Sequence, residues 1–76
     1  MESIYIRVVG RTTPVCAYCE LAKKLLERKG LAYEFVELAT SPEYQNLFAE
    51  LGIRTVPAIF LDSEYLGGYT ELLAYV

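Results

Sequence analysis

The 76 residues predict an α/β fold in which a four-stranded mixed sheet carries helices on both faces, in the order β-α-β-α-β-β-α. Three observations predict it. Short runs of β-branched and apolar residues alternate with stretches of helical apolar spacing. The first strand-helix-strand unit favours a right-handed crossover and a parallel strand pair. The last two strands are separated only by Asp62-Ser63, a turn that makes them a hairpin and adds antiparallel pairing.

Residues 4–9, Ile-Tyr-Ile-Arg-Val-Val, read as a strand bounded by Gly10, and as a central one because both faces are mostly apolar. Residues 10–15 are turn-like, with two threonines and Pro14. Tyr18, Leu21, Ala22, Leu25 and Leu26 then mark one face of a helix, closed by a basic last turn and a left-handed cap at Lys29-Gly30. Residues 33–38 form the second strand. Ser41-Pro42-Glu43 starts a helix with a cap residue, a proline at the first position and an acid in the first turn. Its buried face is Tyr44, Leu47, Phe48 and Leu51, and Gly52 ends it. The third strand, residues 56–61, is entered through Pro57, and residues 64–66 form the fourth. Gly67-Gly68 breaks the chain, and Thr70 caps a final short helix running to Val76.

Length bounds the chain to one domain, residues 1–76, with no linker, repeat or low-complexity segment. A domain this small is marginal, but 54% hydrophobic residues, spread along the chain, allow a core without metal or cross-links. Seven basic against ten acidic residues, with no basic stripe, argue against nucleic acid as a partner. No apolar run is long enough to cross a bilayer, and residues 1–10 lack the marks of a secretory signal, so a cytoplasmic protein with no membrane partner is expected. The absence of histidine removes the commonest general base and metal ligand.

The chemistry rests on Cys16 and Cys19. A lone Cys-x-x-Cys in a chain without export marks points to redox chemistry rather than to a structural staple. Cys16 falls at the start of the first helix, where unpaired N–H groups and the helix dipole favour a negative sulfur. Cys19, one turn later on the same side, is within reach of it. Cys16 is therefore suited to attack a disulfide and Cys19 to resolve the mixed disulfide that results, with Arg11 adding positive potential if it folds back. Two plainer alternatives carry less weight. Inert core thiols need no i, i+3 pairing, and two cysteines supply at most half of a tetrahedral zinc shell, so no metal site is expected.

Three motifs together resemble the glutaredoxin family. Cys16-Ala17-Tyr18-Cys19 is similar to its dithiol Cys-Pro-Tyr-Cys site, with alanine for proline. Thr55-Val56-Pro57 is similar to its Thr-Val-Pro segment, and Gly67-Gly68-Tyr69-Thr70-Glu71-Leu72 to its Gly-Gly-Tyr-Thr-Asp-Leu type of segment. The resemblance spans nearly the whole chain. It implies a thioredoxin-like fold and a cis Pro57 facing the cysteines. It also implies a glutathione site formed by Arg11, Tyr18, Arg54, Thr55, Val56, Pro57, Gly68, Tyr69, Thr70 and Glu71. There the Val56 backbone pairs with the peptide's cysteine, Thr70 and Glu71 hold its γ-glutamyl end, and Arg11 or Arg54 meets its glycine carboxylate. The implied activity is glutathione-dependent reduction of protein disulfides or glutathione mixed disulfides by a monomer, with glutathione as reducing co-substrate. Ribonucleotide reductase is the expected protein partner by family analogy alone. Two alternatives stay open: a redoxin reduced by thioredoxin reductase, and a dimer binding an iron–sulfur cluster through Cys16 and glutathione.

Overall fold

A computed structural model of the chain describes residues 5–13 and 16–76. The sheet has the order β2-β1-β3-β4, from strands β1 (Ile6–Gly10), β2 (Tyr33–Glu37), β3 (Ala58–Leu61) and β4 (Glu64–Gly67). β1 pairs parallel with β2, Ile6 opposite Tyr33, and antiparallel with β3, Ile6 opposite Leu61. β3 pairs antiparallel with β4. The predicted mixed sheet and its central first strand are both present. The strand's predicted start at Ile4, and Pro14 and Val15 of the turn-like segment, lie outside the described residues.

Strand alternation divides the core between two faces. Ile6, Val8 and Ile59 point to one side, where they meet Ala22, Leu25 and Leu26 of α1 (Ala17–Arg28) and Leu72 of α3 (Tyr69–Tyr75). Val9, Ala58 and Phe60 point to the other, against Tyr44 and Phe48 of α2 (Pro42–Leu51). Helices therefore cover both faces, as the sequence predicts. Leu26 is fully buried in the first cluster. Leu26→Ala is expected to cost about 2–5 kcal/mol in chemical denaturation, through lost transfer energy plus a residual cavity.

Several boundaries and faces differ from expectation, each for a local reason. Leu21 and Leu51 extend the helical stripes but stand exposed, because α1 and α2 each turn a narrower face to the sheet. In α1 the fully buried position next to Ala22 belongs to Cys19 instead. β2 stops at Glu37, since Leu38–Thr40 turn into a 3₁₀ segment. Ser41 occupies the N-cap position of α2, yet its side chain makes no cap bond. The helix starts on Pro42 as predicted and ends at Gly52 with φ 72°. β3 begins at Ala58, two residues after the predicted Val56. Gly10 ends β1 as its last residue, as predicted.

Arg7 is the polar exception on the α2 face. Its guanidinium donates to the Tyr44 hydroxyl, with Nε 3.5 Å from a Glu34 carboxylate oxygen and the Tyr5 ring stacked 4.8 Å from its carbon. At the far end of the hairpin, Asp62 tolerates φ 56° in the turn. It exchanges two hydrogen bonds with the Tyr5 backbone, at 2.8 and 3.0 Å, fastening the turn to the start of β1.

Candidate active site

β1 delivers the chain to one end of the sheet, and the segment after it leads to α1. That segment is anchored by Thr12, whose backbone N–H and hydroxyl both donate to the Glu37 carboxylate at 3.1 and 2.7 Å. Cys16 is the N-cap of α1, with extended backbone, and its sulfur accepts a hydrogen bond from the Cys19 N–H at 3.2 Å. It therefore does the work that a serine or aspartate oxygen usually does at this position, and a negative sulfur is a better acceptor than a neutral one. The same sulfur lies 3.9 Å from the Val56 carbonyl oxygen. Both cysteines are free thiols.

The pair is asymmetric. Cys16 is partly open to solvent, whereas Cys19 has no exposed surface. Burial, reinforced by the neighbouring Cys16, pushes the Cys19 thiol from its ordinary 9.0 up to about 11, with the Arg11 backbone N–H opposing part of the rise. Cys19 is thus a neutral thiol at physiological pH. Between pH 9 and 11 the unfolded chain releases this proton first, so the folded state binds more protons and stability falls as pH rises. Urea unfolding of reduced wild type and Cys19→Ala should show a stability difference that is level below about pH 9 and declines towards pH 11. A difference that stays flat across that window contradicts the burial of the thiol.

The Val56–Pro57 peptide is cis, as the family resemblance implies. A groove of about 410 Å³ is lined by Tyr18, Thr55, Val56, Pro57, Gly68, Tyr69, Thr70 and Glu71, with Cys16 beside it through the Val56 carbonyl. Tyr18 is 61% exposed, so it does not share the buried helix face of Ala22, Leu25 and Leu26, and its ring meets that of Tyr69 at 5.9 Å between centroids. Eight of the ten residues assigned to a glutathione site from sequence line this groove. Arg11 and Arg54 do not. They flank a second depression of about 390 Å³, floored by Leu38, Phe48 and Ile53, on the α2 side. Thr55 and Val56 line both, so the two depressions meet at that dipeptide.

The start of α3 differs from the sequence expectation. The N-cap is Gly68, and Thr70 lies inside the first turn with its side chain at the groove. The Gly68 N–H donates to Glu71 Oε1 at 2.8 Å, so the acid folds back to close the helix end. Gly67 makes room for that fold. Its φ is 142°, and a Cβ there would lie 2.5 Å from Glu71 Cγ. The reversal at Gly67 starts the helix before Thr70 can cap it.

Sequence reasoning missed three contributors. Tyr65 of β4 lines the groove and stacks 5.4 Å from Phe60, but a four-residue edge strand gives little alternation to read. The Thr12–Glu37 tether joins residues 25 apart and leaves no sequence signal. The side of Gly10 that faces Cys19 becomes visible only once α1 is packed on β1.

Comparison with known proteins agrees with this geometry. The Glutaredoxin family model matches residues 4–66. A glutaredoxin of Neisseria meningitidis is 39% identical over 66 residues, covering 80% of this chain and 74% of its own length. Among solved structures, glutaredoxin 1 from Francisella tularensis complexed with cacodylate superposes with a TM-score of 0.75 at 29% identity, over 95% of this chain and 91% of its own. A buckwheat glutaredoxin–glutathione complex superposes with a TM-score of 0.77 at 28% identity, over 93% of this chain and 66% of its own.

Proposed function

The chain belongs to the glutaredoxin family of thiol–disulfide oxidoreductases with a thioredoxin-like fold, and from that premise we propose that it reduces protein disulfides and glutathione mixed disulfides with glutathione as electron donor. The observation that carries this reading is the groove that reaches from Val56, whose carbonyl oxygen lies 3.9 Å from the Cys16 sulfur, to the start of α3. It offers an extended thiol peptide the contacts it needs. Val56 supplies backbone polar groups for strand-like pairing. Thr70 and Glu71 line the groove at the first turn of α3, where the helix N–H groups and a hydroxyl suit an incoming carboxylate and the acid an ammonium. The solved complex of a structural relative with glutathione supports the same ligand.

In the reaction, the Cys16 thiolate attacks one sulfur of the target disulfide and releases the other as a thiolate. Cys19 gives up its proton and attacks the Cys16 sulfur, so a Cys16–Cys19 bond forms as the second target thiolate leaves. One glutathione thiolate then reopens that bond at Cys16, returning Cys19 to the thiol. A second removes the first as oxidised glutathione and restores Cys16. Two electrons pass from two glutathiones to one target disulfide. Glutaredoxin potentials of about −200 to −230 mV suit this exchange with a reducing glutathione pool, and the cytoplasm is the compartment it assigns. Ribonucleotide reductase is a candidate target of the same chemistry, with the protein acting as a monomer.

Arg11 and Arg54 line the depression that shares Thr55 and Val56 with the groove, and in this reading they meet a carboxylate extending past that dipeptide. The test is a coupled assay with glutathione, glutathione reductase, NADPH and a small glutathione mixed disulfide. Rapid NADPH loss supports the proposal. Folded protein that shows no turnover there, yet is reduced by thioredoxin reductase, assigns the other electron donor and overturns it.

A further inference from the structure

Gly10 is the last residue of β1, and no left-handed backbone calls for glycine there, since the positive-φ glycines are Gly30, Gly52 and Gly67. Glycine inside a strand weakens it and contributes no packing. What the position does need is space. A Cβ on Gly10 would lie 2.6 Å from Cys19 Sγ, far inside contact distance, with Cys19 Cβ at 3.4 Å and Phe35 Cε1 at 3.3 Å. The sulfur of Cys19 occupies the volume that any other residue's Cβ would fill.

We propose that Gly10 is a positioning residue for the second cysteine: the recess left by its missing Cβ holds the Cys19 sulfur in the dithiol state and so sets the balance between dithiol and disulfide. This inference rests on the Cys16–Cys19 redox cycle described above. A disulfide brings the two sulfurs to about 2.05 Å. In this proposal it is the Cys19 sulfur that moves to form the bond, leaving the recess at Gly10, and reduction that returns it. A methyl group placed in the recess penalises the dithiol selectively. The disulfide keeps its geometry, and the thiol must take another rotamer or push β1 from α1.

The experiment compares wild type and Gly10→Ala, each equilibrated in buffers of graded reduced-to-oxidised glutathione ratio, quenched by thiol alkylation and read by mass spectrometry. The expected result is an equilibrium shifted about tenfold towards the disulfide in the variant, a midpoint more negative by about 30 mV for a two-electron couple. A wild type that forms the disulfide, beside a variant whose equilibrium constant agrees within twofold, overturns the inference alone. A wild type that never forms it overturns the dithiol reading, and this inference with it. Loss of folding in Gly10→Ala is resolved by a cycle in urea with reduced Cys19→Ala and the double variant. If the sulfur is what the methyl meets, the damage disappears when Cys19 is alanine. Equal damage in both backgrounds moves the clash to Phe35 and overturns the role assigned to Gly10.

Discussion

Cys16→Ser is expected to fold as well as wild type and to reduce disulfides no faster than the uncatalysed background. The two halves of this expectation come from one geometric fact. Position 16 is the N-cap of α1, and its side chain accepts the Cys19 N–H. Serine is among the best residues for that duty, so the helix end stays closed. The hydroxyl, however, is a poor nucleophile at neutral pH without a base, and the chain has no histidine to supply one. Thermal unfolding within a few degrees of wild type, together with complete loss of NADPH consumption in the coupled assay, is the expected pair of results. Retained turnover would remove Cys16 as the attacking thiol.

Cys19→Ser separates the two chemistries. Attack by Cys16 on a protein disulfide still occurs, but no thiol then displaces the target from the mixed disulfide. The variant should stall within the first turnover and accumulate a covalent Cys16–target adduct, visible on non-reducing gels. Small glutathione mixed disulfides need only Cys16 and free glutathione, so their turnover should persist. The burial of Cys19 sharpens this expectation. A thiol held near 11 competes poorly as a nucleophile in the resting state, so it acts on the mixed disulfide formed beside it, not on disulfides in solution. Total loss of turnover on the small substrate would contradict the division of labour.

Much of this was legible in the sequence because the signals are local. The β-branched run in residues 4–9 and helical spacing from Tyr18 to Leu26 depend on neighbours a few places away, and the order of elements follows from them. The three motifs converge on one end of the sheet, with Cys16 against the Val56 carbonyl and Tyr18 against Tyr69. Where the sequence misled, the deciding contact lay elsewhere in the chain. Leu21 and Leu51 satisfy helical periodicity, but how wide a stripe a helix buries depends on how it is set against the sheet. Thr70 has the chemistry of a cap, yet the φ of Gly67 turns the chain early and gives the helix end to Glu71. The ten proposed binding residues form one list in sequence. In space they divide into two depressions sharing Thr55 and Val56, a division set by α2 and invisible to motif spacing.

The Tyr18–Tyr69 pair also makes the protein its own optical probe. The chain contains seven tyrosines and no tryptophan, so no indole drains or masks phenol emission. Tyr18 stands mostly in water at the groove, with its ring against that of Tyr69. A molecule settling in the groove against Tyr18 strips solvent from a phenol whose signal is otherwise that of an exposed side chain. Occupancy of the groove should therefore be readable in unlabelled protein, from near-ultraviolet difference spectra, with Tyr18→Phe as the silent control.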